Sequence, residues 1–306
     1  MDSTRTQNIR TLSGRLNSFH SSIYFSEVVG ASFAELGLEP GIPANMAARS
    51  APMGRVNAGV VAGTFYNYSP SFIATIIPRI WDTVSPDVMV SARFDAVSLY
   101  LDGLFGDRDD IALLTEAAVQ LTETLTPVRE AMDFTGRSLA GSTAAAVAAH
   151  TPATAFEALW DLATVAREFR GDGHVASLVT AGVAGIDALM LDVATGASFK
   201  PRAAQKTRGY TDEEWQRAQD GLAEAGLITV GTDDRGYPLP QITDAGRQLK
   251  EEVEILTDGT VAAAWSVLSD EQIASLIAPS RTLVKVLVQS GAFPSAVFAQ
   301  PERKSS

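Results

Sequence analysis

Thr211-Asp-Glu-Glu214, Leu222-Ala-Glu-Ala-Gly-Leu-Ile228, Gly231-Thr-Asp-Asp-Arg-Gly-Tyr-Pro238 and Ile242-Thr-Asp-Ala-Gly-Arg247 follow one another in the stretch that decides the fold. The first is a capping box: a threonine cap with a glutamate three residues on satisfies two free amides at a helix start. The helix it opens runs to Ala225 and stops at Gly226. Leu227-Ile-Thr-Val230 and Leu239-Pro-Gln-Ile242 then flank a polar, glycine-containing tip, which predicts a hairpin. Thr243-Asp-Ala-Gly-Arg247 starts a further helix through Leu256.

Upstream, Phe156, Leu159, Trp160 and Ala163 predict a core-facing helix to Phe169. Asp172 is then expected to cap a long helix running to about Ala194. Lys200, Arg202, Lys206 and Arg208 fall on a second helix, or on the turn before the capped one. Helix, helix, helix, hairpin, helix is the order of a winged helix, here about residues 177–256. Downstream, Val261–Leu268 predicts one helix. Ser269-Asp-Glu-Gln272 is another capping box, opening Ile273–Val288 with a bend near Pro279.

Residues before this region read as helix with short punctuation. Ile9, Leu12, Leu16, Phe19 and Ile23 recur at helical spacing, and that helix is expected to continue past His20 and Tyr24 towards Leu36. Gly37, Pro40, Gly41 and Pro43 break it. Further helices are expected over 56–66, from Ser69-Pro70 through Trp81, from Ser85-Pro86 through Leu104, over Ile111–Thr126 and over Ala140–Ala149. Gly59 and Gly63, four apart, are read as a close-packing feature. The predicted class is mainly α, with a helical domain over 1–175 and a winged-helix domain with C-terminal helices over 176–293. A mobile tail is expected over 294–306.

The chain has 306 residues, 24 Lys+Arg, 36 Asp+Glu and no cysteine. Apolar residues at 46% suffice for a core, and charged residues at 20% are too few for disorder. Absence of cysteine excludes disulfides, thiolate nucleophiles and Cys-ligated metal. A net charge of −12 weighs against coating nucleic acid or anionic membrane, because phosphate binding needs clustered Lys and Arg. The amino terminus has no apolar stretch, and the longest uncharged run, between Arg55 and Arg79, is too polar to span a bilayer. A soluble, cytoplasmic protein with no membrane partner is expected.

The predicted recognition helix carries Asp212, Glu213, Glu214, Asp220 and Glu224 against Arg217 alone. Such a face repels phosphate, so base reading is expected to be lost. The opposing signal is Lys200, Arg202, Lys206 and Arg208, with no acid between, joined by Arg235 at the hairpin tip. These would be the DNA-contacting residues if the winged helix still works. A solvated linker is the plainer reading of the cluster.

Leu222–Ile228, Asp233–Gly236 and Ile242–Arg247 together resemble the recognition helix, wing and following helix of the MarR regulators. More of the chain is similar to an actinobacterial helix-turn-helix family of about this length. The residues carrying that likeness are His20-Ser-Ser-Ile-Tyr-Phe25, Phe33-Ala-Glu-Leu-Gly37, Arg49-Ser-Ala-Pro-Met-Gly54, Phe65-Tyr-Asn-Tyr68, Arg167-Glu-Phe-Arg-Gly-Asp-Gly-His174 and Gly209-Tyr-Thr-Asp-Glu-Glu-Trp215. The resemblance covers most of residues 10–290. It implies the fold and brings no activity with it.

Two of the chain's three histidines lie in these segments. His20 has Tyr24 one turn later on the same helix face. His174 is expected near a helix N-terminus, where the dipole favours neutral imidazole, behind Arg167, Arg170 and Asp172. His20, Tyr24 and His174 are therefore the candidate catalytic or ligating groups, with Arg170 an anion anchor. Arg49, Phe65, Tyr66, Asn67, Tyr68, Arg167 and Asp172 are candidate pocket wall. The plainer readings are a core histidine bonded to a carbonyl, an N-cap aspartate and ordinary aromatic core. His150 is read as structural. No nucleotide loop, nucleophile elbow or zinc motif occurs, and no metal is expected.

Two functions follow from different features. One is a small-molecule or cofactor binder, with enzymatic activity an option, on a winged-helix scaffold that has lost DNA reading. Haem is one cofactor option, since one histidine in an apolar helical pocket suffices for axial ligation. The alternative is a ligand-responsive regulator of MarR type. A homodimer through Ile273–Val288 and Trp265 is expected in either case.

Overall fold

The structure is a computed structural model, and it describes residues 3–233 and 235–299. Helix α1 (Ser3–Ser21) leads through a 3-10 turn (Ser22–Phe25) to α2 (Glu27–Ala34), α3 (Ile42–Ser50), α4 (Ala58–Thr64) and α5 (Pro70–Ile76). Then come α6 (Pro86–Phe105), α7 (Ile111–Glu130), α8 (Ser138–Ala148), α9 (Ala155–Thr180), α10 (Gly185–Ala194), α11 (Pro201–Arg208) and α12 (Asp212–Glu224). Strands β1 (Ile228–Thr232) and β2 (Pro238–Ile242) precede α13 (Asp244–Trp265), α14 (Asp270–Ser275) and α15 (Ile277–Gln289). The fold is mainly α with a short hairpin wing. No single helix among the described residues is long and apolar enough to cross a membrane.

The chain forms two compact units, each assembled from separated segments. The helical unit takes residues up to 56, 78–173 and 257–292; the winged unit takes 57–77, 174–256 and 293 onward. In the helical unit Phe105 stacks on Phe156 with ring centres 4.1 Å apart and lies 6.2 Å from Phe19. Helix α2 packs on α6, and α15 packs on α1 and α7. Leu283, Val286 and Leu287 of α15 and Trp265 of α13, the residues expected to pair two subunits, are buried within the single chain.

In the winged unit, Trp215 and Leu222 of α12 join Leu189 and Met190 of α10, Ile228, Ile242 and Val253 in one core. The capping box at Thr211 is formed as read, with Glu214 reaching back to the Thr211 amide. The strands pair antiparallel from Ile228↔Ile242 to Thr232↔Pro238. At the tip, Asp233 accepts the amides of Arg235 and Tyr237 at 2.9 and 2.8 Å, while Asp234 lies outside the described residues. Gly209 has φ +72°, and a Cβ there would lie 2.1 Å from the Phe72 ring. Of the tail expected to be mobile, residues 300–306 lie outside the described residues. Phe298 packs its ring 4.8 Å from that of Phe199.

Five expected elements differ: in the last of them the helix opened by Ser269 ends at Ser275 and α15 starts at Ile277, in place of one helix bent near Pro279. The first helix stops at Ser21: Ser22 Oγ turns back to the Phe19 carbonyl, and Ser26 caps α2 by accepting the Val29 amide. Helix α5 ends at Ile76, before Pro78, which lacks an amide to continue it, and residues 79–82 form a 3-10 turn. Helix α13 runs unbroken to Trp265, absorbing much of the expected Val261–Leu268 helix. Helix α9 runs straight through Arg170-Gly-Asp-Gly-His174, so Asp172 does not start a helix. Its carboxylate instead caps α8 from the side, accepting the amides of Leu139 and Ala140 at 3.1 and 3.0 Å.

Two glycines inside α9 oppose helix formation, each by about 1 kcal/mol relative to alanine. Gly173 is required for close approach: a Cβ there would stand 2.1 Å from Thr260 Oγ1 and 2.8 Å from Arg137 Nη1. Propensity alone predicts that Gly173→Ala stabilises. We expect the reverse, a loss of about 2 kcal/mol from overpacking, measured as a lower urea midpoint at unchanged slope.

Candidate ligand site in the helical unit

One face of α9 presents Trp160, Thr164, Glu168 and Asp172 at successive intervals of four residues, a stripe along the helix. Around it the helical unit buries several ionisable groups. Glu168 is only 1% exposed, and Arg49 of α3 grips it side-on, Nε to one oxygen at 2.7 Å and Nη2 to the other at 2.8 Å. Arg167 adds a further hydrogen bond to Glu168. This bidentate grip is what makes a buried carboxylate tolerable, because an unpaired one costs several kcal/mol.

His20 is completely buried at the end of α1. Its Nε2 lies 2.6 Å from the Tyr24 hydroxyl and its Nδ1 2.9 Å from Thr164 Oγ1. The ring stacks on Trp160, centroids 5.7 Å apart, and the Trp160 indole N–H donates to the His20 carbonyl. Burial, then the positive charges of Arg93 and Arg49, hold His20 well below the usual imidazole range. It is neutral at pH 7.

Arg93 of α6 is the second buried centre, 4% exposed with its guanidinium 5.0 Å from the Trp160 ring. Only Nη1 donates, to the Ala48 carbonyl at a long 3.4 Å. Nε and Nη2 have no hydrogen-bond partner among the described residues, and neither has the hydroxyl of Thr143 on α8. Both side chains line one narrow cavity, room for about one water, walled by Val90, Phe94, Val147 and Trp160 with Thr164. Burial lowers the Arg93 pKa, while the nearby Tyr24, Glu168 and Asp161 oppose the shift.

Beside this cavity His150 stacks on Phe94 at 4.0 Å, and its Nδ1 lies 2.7 Å from Asp161 Oδ2. Burial pushes the Asp161 carboxyl up to about 6, partly offset by the hydrogen bond to His150.

The structure thus gathers His20, Tyr24, Arg49 and Arg167 of the sequence candidates around one cluster. Arg170 reaches Asp258 at 3.1 Å, an acid it shares with Arg10. His174 lies within α9 rather than at a helix start, so the dipole argument does not apply to it; it is partly exposed, 3.7 Å from Glu254. Phe65, Tyr66, Asn67 and Tyr68 lie in the winged unit. There Tyr66 donates to the Val183 carbonyl, and Tyr68 packs against Phe65 and under Arg208. Sequence reasoning missed Arg93, Thr143, Trp160, Asp161, Thr164 and Glu168. A readable signal existed for Arg93, a lone cation among Met89, Ala96 and Val97 on the buried face of α6.

Haem does not fit His20 as placed. Both ring nitrogens are engaged, the ring is stacked, and the adjoining space holds about one water. No group of three His, Asp or Glu among the described residues could hold a metal ion.

In the winged unit, Asp212, Glu213, Asp220 and Glu224 of α12 are exposed, so the face presented is acidic. Lys200, Arg202 and Lys206 are also exposed, and Arg202 stacks 3.6 Å over the wing residue Tyr237, near Arg235 in sequence. Arg208 is spent inside the unit, over Tyr68 and Phe199.

Among known proteins, the model of the helix-turn-helix family matches residues 9–294. No curated protein and no solved structure matches the chain.

The Asp161 shift has a measurable sign. Its folded pKa, about 6, is above its ordinary 3.8, so the folded state holds the proton longer. The resulting stability is present below pH 4 and is lost as pH rises through 6. Asp161→Asn keeps a neutral acceptor for His150 at every pH. Relative to wild type it should therefore gain about 2 kcal/mol between pH 4 and pH 7.5, read as the change in stability difference. His20 titrates in both proteins and cancels in that difference.

Proposed function

The chain belongs to the helix-turn-helix family, and we propose that this member binds a small molecule in its helical unit, around His20 and Arg93, and does not read base edges with α12. The observation that carries the binding half is Arg93, a buried guanidinium with two nitrogens unpartnered among the described residues, beside a cavity. A stability-driven core would not keep such a group, because a hydrophobic side chain of similar volume is neutral or better there. Donors held out of water without partners are what a receptor for a polar ligand requires. The electrostatic half rests on the exposed acids of α12, which oppose phosphate at the distance where recognition helices work.

The second reading is a ligand-responsive regulator of MarR type. Lys200, Arg202 and Lys206 favour it, since all three are exposed, from the cap of α11 to its last turn, and Arg202 is braced by the wing. In that reading DNA is held by backbone contacts from α11 and the wing with Arg235.

A paired experiment separates the two. Anisotropy with labelled genomic fragments at 50 and 200 mM salt should show no specific complex, while a thermal-shift screen of neutral, cationic and anionic metabolites should yield a stabilising compound. Tight specific binding that falls steeply with salt, and is lost in the Lys200→Ala, Arg202→Ala, Lys206→Ala triple variant, would establish the regulator instead.

A further inference from the structure

We propose that the winged unit pairs with a second copy of this chain, the acidic face of α12 on one copy lying against the basic face of α11 on the other, and reciprocally. The inference goes beyond the small-molecule reading and does not depend on it, since it concerns the other unit.

Two exposed patches of opposite sign adjoin in this unit. Arg202 and Lys206 stand four residues apart on one face of α11, with Lys200 at its cap. Asp212, Glu213, Asp220 and Glu224 are exposed on α12, where Arg217 is the one exposed cation. Only residues 209–211 separate the two helices, and Gln205 of α11 donates to Asp212 at 2.7 Å. Yet the patches do not neutralise each other. Asp212 and Asp220 accept from the neutral side chains of Gln205 and Gln216. Among the described residues no ion pair joins any of these charges to an opposite one. The wing adds exposed apolar surface: Tyr237 lies under the Arg202 guanidinium, and Val230 shares a hairpin face with buried Ile228.

The mixture of signs selects the occupant. A DNA duplex matches α11 and is repelled by α12. A uniformly basic protein has the reverse mismatch. A second copy carries both patches, and a two-fold axis sets each against its complement, because an isologous contact brings i to j and j to i. Single exposed ion pairs contribute little, so the charges fix register and orientation while Val230 and Tyr237 supply apolar burial. Leu283, Val286 and Leu287 of α15, expected to pair subunits, are spent inside the single chain. Pairing through the winged unit also covers the exposed acids of α12, in keeping with a helix that does not read base edges.

The experiment uses the full chain. Mass is measured by light scattering in about 0.15 M sodium chloride, where a Debye length of about 8 Å screens the overall repulsion of two acidic chains and spares direct contacts. Wild type should approach twice its 32.4 kDa as concentration rises. Two charge reversals probe the patches: Lys200→Glu with Arg202→Glu, and Asp220→Lys with Glu224→Lys. All four residues are exposed, and each new charge suits the helix end it occupies, so both variants should fold and remain monomeric alone. Mixed one to one they should dimerise again, because both cross-contacts then join opposite charges. If one variant fails to fold, loss of the dimer in the other decides. A wild type still monomeric at about 0.5 mM overturns the proposal. So does a dimer that survives either reversal, or a mixture that stays monomeric. Monomeric wild type that binds duplex DNA, and loses it in Lys200→Glu with Arg202→Glu, would give the basic patch to nucleic acid instead.

Discussion

Burial of charge is the constraint around which the helical unit is organised. Glu168 sits in the middle of α9 at 1% exposure, and a lone carboxylate there would force the helix outward or take up a proton. Arg49 meets it with two hydrogen bonds from α3, which is only possible if the segment after Pro43 folds as a helix and ends beside α9. Thr164 and Trp160, one and two turns earlier on the same stripe, take His20 from α1. Asp172, one turn later, holds the first amides of α8. One helix face thereby fixes three others through polar contacts, and the aromatic stack of Phe19, Phe105 and Phe156 fills the apolar remainder.

Against that background Arg93 stands out by physical reasoning alone. Every other strongly buried ionisable group in the cluster has a close partner, and a protein interior enforces that rule with several kcal/mol per violation. A buried guanidinium with two nitrogens unpartnered among the described residues is the kind of local cost that persists at functional sites. The winged unit shows the converse. Its packing is conventional, with Trp215 and Leu222 buried against α10 and the hairpin, yet its exposed charge has the wrong sign for the surface this fold commonly offers to DNA.

The local code was legible wherever neighbours in sequence supply the partner. Capping boxes at Thr211 and Ser269 formed as read, because cap and glutamate or glutamine close on each other within one turn. The hairpin at 228–242 formed because alternating residues and a glycine tip leave few alternatives. Failures came where a local signal had a distant competitor. Asp172 looked like an N-cap of its own helix, and it is a cap, but for α8 more than thirty residues away in the chain. Gly171 and Gly173 lie where the sequence reading ends one helix at Phe169 and caps the next at Asp172, yet Thr260 packs against Gly173 and α9 continues.

The sequence by itself determined the helical class, the winged-helix order with its acidic third helix, and the pairing of His20 with Tyr24. These depend on spacing, composition and short-range hydrogen bonds, all written in contiguous residues. Only the tertiary structure decided that Arg93, Thr143, Thr164 and Glu168 gather beside His20 and Tyr24. Those residues come from α6, α8 and α9, and their meaning depends on which donors and acceptors remain once the helices have packed. No single segment carries that information, because an unsatisfied group is a property of everything around it.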